Sequence, residues 1–163
     1  MDVLNSMSLG AFFSMLGAAL AAGFGGAGSG QGVGIAGAAA AGVISEDPKK
    51  FGQTLLLQAL PGTQGIYGLL IAFLILNKIG LFSGADLAAI PTGHGLMYFG
   101  ASLAGAAALY HSGVGQGRAA AGSMGVLARR PEEFGKCMLY PAMVETYAVL
   151  ALLVTVLMVM NVR

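Results

Sequence analysis

Tyr140-Pro-Ala-Met-Val-Glu145-Thr-Tyr147, followed from Ala148 to Met160 without a charge, decides the fold. With the residues before it, this run reaches the roughly 20 largely apolar residues that cross a hydrocarbon core. Glu145 is the only acidic residue inside any long apolar stretch of the chain. The other six (Asp2, Glu46, Asp47, Asp86, Glu132, Glu133) fall at the N-terminus or in or beside connections. A carboxylate at membrane depth is costly and normally marks an ion or proton path. Glu145 is therefore the expected functional centre.

Composition agrees. The 163 residues are 56% hydrophobic and 9% charged, against a soluble norm of about 25% charged, which places the chain among integral membrane proteins. A net charge of +1, with no basic run longer than two residues, excludes a nucleic-acid partner. Cys137 is the only cysteine, so the chain can form neither an internal disulfide nor a thiolate cluster. It reads as a small buried hydrophobe. The N-terminus carries Asp2 and no Lys or Arg ahead of its apolar run, so the first segment is expected to be retained as a span.

Four segments are expected to cross the bilayer: Leu9 to Ile44, Phe51 to Leu81, Gly95 to Leu127 and Phe134 to Asn161. Proline and clustered charge break the helices at Ser45 to Lys50, Phe82 to His94 and Ala128 to Glu133. The first and third connections hold Lys49, Lys50, Arg129 and Arg130, with Lys136 close by; the opposite side shows Lys78 and Arg163. The positive-inside rule places those two connections in the cytoplasm, leaving both termini on the non-cytoplasmic side of a multi-pass protein in the cell membrane.

The halves repeat. Gly30-Gln-Gly32 returns as Gly115-Gln-Gly117, and Glu46-Asp-Pro-Lys-Lys-Phe-Gly52 returns as Arg129-Arg-Pro-Glu-Glu-Phe-Gly135. The pattern predicts an all-α membrane protein of four transmembrane helices in two tandem hairpins, residues 1–81 and 82–163, running parallel rather than inverted. Extending the second loop's register sets Gly62 opposite Glu145, so the first hairpin has lost its carboxylate. The first helix of each hairpin is crowded with glycine. Small faces let helices approach closely in lipid, and one chain has too few helices to cover them, which points to a homo-oligomer. Gly32-x-Gly34-x-x-Gly37 matches a dinucleotide fingerprint only as a string, because no strand precedes it.

The second span holds the most polar stretch, Leu60-Pro-Gly-Thr-Gln-Gly-Ile-Tyr67. Pro61 removes a helical hydrogen bond and Gly62 loosens the chain, so nearby carbonyls can turn toward a ligand. Thr63, Gln64 and, from the third span, Gln116 add neutral oxygens to the Glu145 carboxylate. A hard cation such as Na⁺ favours such a set. A second reading stands beside it, in which these polar groups only hydrogen-bond between helices.

Pro61 to Gly68, Gly115-Gln-Gly117 and Met143-Val-Glu-Thr-Tyr147, in a duplicated four-helix chain, resemble the K subunits of bacterial sodium-translocating V-type ATPases, the proteolipids of the membrane rotor ring. The likeness spans essentially the whole chain, and its Pro-Gly-Thr-Gln element together with Gln116 is the specific part. It implies that Na⁺ is held by the Leu60 carbonyl, the side chains of Thr63, Gln64 and Gln116, and Glu145, with Tyr67 hydrogen-bonded to Glu145 as a gate. It also implies identical subunits in a ring, a stator membrane subunit whose Arg competes for Glu145, central stalk subunits against the cytoplasmic connections, and lipid around the ring. The chain itself would be non-catalytic, with ATP hydrolysed elsewhere. Gln31 departs from the sodium pattern and reads as a packing relic of the repeat.

Two alternatives follow from the same residues. An H⁺-carrying rotor would use the polar groups only to hold a protonated Glu145. A passive oligomeric channel would show polar positions aligned along one face, whereas here polarity concentrates at one depth. His94 and His111 share no metal-ligand spacing. His94 is expected at a helix start, Arg118 to snorkel toward an interface, and Tyr147 to be able to pack over the Glu145 turn.

Overall fold

The computed structural model describes residues 7–162. Ser8 starts the first helix: its hydroxyl accepts the Ala11 N–H at 3.1 Å, capping α1, Leu9–Glu46. The same hydroxyl lies 2.9 and 2.8 Å from the carbonyl oxygens of Leu87 and Ile90, tying the start of α1 to the central loop. The chain then turns at Pro48–Lys50 into α2, Phe51–Ala59, and a 3₁₀ turn at Leu60–Gly62 leads into α3, Thr63–Lys78. Gly80 and Gly84, at φ 73° and 72°, bend the loop that follows. α4, Thr92–Arg129, returns across the molecule, and Pro131–Glu133 turns it into α5, Phe134–Met160.

The second expected span is thus two helices joined at Pro61. Pro141 also lies within a helix, but α5 runs through it unbroken. α1, the α2–α3 unit and α5 are long and apolar enough to cross a membrane; α4 falls outside that group. It is as long as α1, 38 residues each, but carries His94, His111, Gln116 and Arg118 among its glycines. α4 packs along both α1 and α5, so much of its surface meets protein and is freed from the composition that lipid demands.

α1 lies along α4, with α3 against α1 and α5 against α4. Lys50 links the two proline connections, its Nζ donating to the Ala128 carbonyl oxygen at 2.7 Å, near the end of α4. Both connections therefore share one end of the bundle. The α1–α4 contact is made by glycine. A Cβ on Gly113 would lie 2.7 Å from the Gly28 carbonyl carbon, and one on Gly28 would lie 2.6 Å from the Tyr110 Cα. Gly32 likewise abuts Gly113 and Gly117 backbone. Neither backbone can yield, so only glycine permits this approach.

Two apolar clusters divide the interior. One, toward the central loop, joins Ala18, Ala21, Ile71, Ile75, Ala101, Leu109 and Ala148. The other, toward the proline connections, joins Ala36, Ala40, Leu57, Ala120, Met124, Leu127 and Cys137. Cys137 is buried there as expected. Outside, Ile66, Leu69 and Phe73 of α3 and Met143, Leu150, Leu153 and Leu157 of α5 are exposed. Such continuous apolar surface needs lipid or another copy of the chain.

Gly113→Ala is expected to lower the melting temperature of the detergent-solubilised protein, overpacking at the crossing costing about 1–3 kcal/mol. Gly52→Ala, where a Cβ meets no atom within 4 Å, is the control and should leave melting unchanged or raise it. Equal melting of the two variants would mean that the crossing tolerates a side chain.

Candidate ion-binding site

Between the apolar clusters lies a thin polar layer. Ser29 of α1, Gln64 of α3, and Ser112 and Gln116 of α4 are all buried there. Burying such groups is tolerable only when each is hydrogen-bonded. Among the described residues no buried side-chain nitrogen or oxygen lacks a partner.

The layer starts at Pro61, which has no N–H to donate to the preceding turn. The tightened turn brings the Leu60 carbonyl oxygen to the Thr63 N–H and to within 3.2 Å of Thr63 Oγ1. Thr63 Oγ1 lies 3.4 Å from Gln64 Oε1. Gln64 Nε2 donates to Gln116 Oε1 at 2.6 Å and to Ser112 Oγ at 3.2 Å. Gln116 Nε2 donates to Glu145 Oε2 at 3.2 Å, and Tyr67 Oη donates to Glu145 Oε1 at 2.7 Å. Leu60, Thr63, Gln64, Tyr67, Gln116 and Glu145 are therefore joined in one network drawn from three helices.

Its chemistry is one-sided. Both amide nitrogens are spent on protein acceptors, while the oxygens of Leu60, Thr63, Gln64 and Gln116 keep lone pairs beside a half-buried carboxylate. Neutral oxygens with a single negative charge suit a hard monovalent cation. No group of three or more His, Cys, Asp or Glu suited to a metal occurs among the described residues. The donor set thus differs from that of a zinc or calcium centre.

Two serines escaped the sequence reading. Ser112 stands four residues before Gln116, on the same helix face, and that spacing was its signal. Ser29 sits in the glycine-rich run of α1, where it passes for another small packing residue. Its hydroxyl accepts the Gly65 N–H at 2.7 Å, pinning the start of α3.

Other expected residues lie elsewhere. Tyr147 is 70% exposed, so it does not cover the site; two residues beyond Glu145 the helix has turned it to another face. Gln31 is exposed and accepts a hydrogen bond from Tyr110 Oη at 3.1 Å, apart from the network. His94 occupies the first turn of α4. His111 is exposed, its ring edge-to-face with Tyr110 at 5.4 Å. Arg118 is exposed too.

The profile of the ATP synthase C-subunit family matches the chain twice, over residues 16–75 and 99–158. Over 161 residues the chain is 44% identical to the V-type sodium ATPase subunit K of Enterococcus hirae, covering 99% of each chain. Over 148 residues it is 42% identical to the A-type ATP synthase subunit K of Methanocaldococcus jannaschii, covering 90% of this chain and 61% of that protein.

Gln64→Leu keeps much of the side-chain volume but strips Gln116 Oε1 and Ser112 Oγ of their donor. Leaving buried acceptors unpaired costs about 1–3 kcal/mol, and thermal unfolding in detergent should shift down accordingly. Unchanged melting would show that the amide is not needed to satisfy the layer.

Proposed function

The chain belongs to the ATP synthase C-subunit family, and from that premise we propose that it carries Na⁺ across the cell membrane through Glu145, as a rotor-ring subunit of a V-type ATPase. It is a non-catalytic, ion-translocating subunit, and the ring is built of identical copies. The observation that carries the sodium reading is the oxygen network closing on one carboxylate in a membrane helix. The sodium ATPase subunit that shares 44% of its residues supports the same choice of ion.

Na⁺ is the cargo. Leu60, Thr63, Gln64 and Gln116 supply its neutral ligands and Glu145 cancels its charge, so a loaded site can face lipid at tolerable cost. Tyr67, donating to Glu145, holds the carboxylate in place as a gate. At the stator, a fixed Arg of that membrane partner competes for Glu145 and releases the ion. The central stalk turns the ring through the connections at Glu46 to Lys50 and Arg129 to Glu133, which lie together at one end of the bundle and face the cytoplasm in this reading. Both termini then lie on the other side. The two stretches matched by the family profile support a division into tandem hairpins, residues 1–81 and 82–163.

Carbodiimide labelling of Glu145 tests the reading, since the reagent attacks the protonated acid. Na⁺ should protect Glu145 in competition with H⁺; labelling that follows pH alone would favour the proton-driven rotor. In the assembled ATPase, Glu145→Gln should abolish ATP-driven Na⁺ uptake while the ring still assembles, and surviving uptake would remove Glu145 from the path. Thr63→Ala should raise the Na⁺ concentration needed for protection more than it alters the pH profile.

A further inference from the structure

The buried hydroxyl of Ser112, 6% exposed, touches both sides of the network without being one of the expected ligands. A hydroxyl has one hydrogen, and a carbonyl can only accept. Ser112 Oγ lies 3.1 Å from the Val144 carbonyl oxygen, so its hydrogen is committed to the backbone of α5 one residue before Glu145. What remains is acceptor capacity, and Gln64 Nε2 fills it at 3.2 Å.

We propose that Ser112 is a positioning residue that holds the Gln64 amide with its oxygen toward Thr63 and the ion path, and so sets the preference for Na⁺ over H⁺; this rests on the sodium reading above. Were the amide turned over, its oxygen would face the Ser112 oxygen and Gln116 Oε1, two acceptors with no hydrogen to share. Its NH₂ would point toward the cation, where a donor is repelled. Gln116 imposes the same orientation, but its own amide is aligned by Glu145. That alignment weakens when the carboxylate is neutralised by an ion or a proton. Ser112 is anchored to a backbone carbonyl, so its constraint survives every charge state of the site. The titratable groups joined to this network are Glu145 and Tyr67.

A proton on Glu145 needs no oxygen from Gln64, whereas a sodium ion does. Ser112 therefore acts on the Na⁺ ligand directly and on the proton site only at second hand, through Gln64 and Gln116, which separates positioning from general packing. The test is carbodiimide labelling of Glu145 in the purified intact ring, with NaCl titrated at several fixed pH values, for wild type, Ser112→Ala and Ser112→Thr. In Ser112→Ala the Na⁺ concentration for half-protection should rise about tenfold, the equivalent of one lost hydrogen bond, while the pH midpoint of Na⁺-free labelling moves far less. Ser112→Thr, which keeps the hydroxyl, should retain the wild-type ratio of the two. Wild-type Na⁺ protection in Ser112→Ala, or equal shifts in the Na⁺ and H⁺ midpoints, would overturn the assignment. Absence of Na⁺ protection in wild type itself would remove the sodium reading and this inference together, and is distinguished by needing no variant.

Discussion

A carboxylate placed at membrane depth has to be neutralised or hydrogen-bonded wherever it goes, and the rest of the molecule follows from that demand. A charged side chain at the centre of a membrane helix costs about 2.5–3.5 kcal/mol even on insertion-based scales. Glu145 meets this cost with two donors from two different helices, Tyr67 of α3 and Gln116 of α4. Each amide in the chain of donors is held in turn: Gln116 by Gln64, and Gln64 by Ser112. The apolar clusters above and below keep this order confined to one layer, where a low local dielectric strengthens each contact.

The glycine crossing makes such a layer possible with short side chains. Gly28, Gly32, Gly113 and Gly117 let the α1 and α4 backbones touch, Gly25 and Gly68 bring α1 as close to α3, and at such separations a serine can bridge two helices. Ser29 spans from α1 to the Gly65 amide, and Ser112 from α4 to the Val144 carbonyl. A larger residue at the crossing would do more than strain the packing. It would push α1 from α4, and α3 packs on α1, so the strain reaches the Gln64–Gln116 bond, the shortest contact of the network at 2.6 Å. Packing and chemistry are thus coupled through the same few residues.

Much of this was legible in the sequence because the membrane restricts what a chain can do. Four helices and their proline-marked ends follow from apolar length, and Glu145 is conspicuous as the one acid among those stretches. The break at Pro61 was readable as a place where carbonyls turn outward, although its form, a single 3₁₀ turn between two helices, was not. The third span, α4, was expected, with the other three, to be a largely apolar crossing. It is less so because α1 and α5 cover much of it, a tertiary fact with no local signature. Ser29 and Ser112 stayed hidden for a related reason: in a glycine-rich helix a serine looks like one more small residue until its partner across the interface is known. Tyr147 shows the converse, since proximity to Glu145 in sequence suggested contact that the helical rotation denies.

The asymmetry between the two halves carries the deeper logic. If the halves arose by duplication, the first lost its acid at Gly62, yet it did not become inert. Its second span now supplies Tyr67, which donates to the carboxylate of the other half, and the neutral Leu60 carbonyl, Thr63 and Gln64, which are linked to that carboxylate through Gln116. A second acid at the same depth would have brought a second desolvation cost and repelled the first. Giving one half the charge and the other much of the neutral hydrogen-bonding partnership removes that conflict. It also makes the network a property of the contact between the halves, so that whatever disturbs the seating of α3 against α4 and α5 disturbs the hydrogen bonds to Glu145.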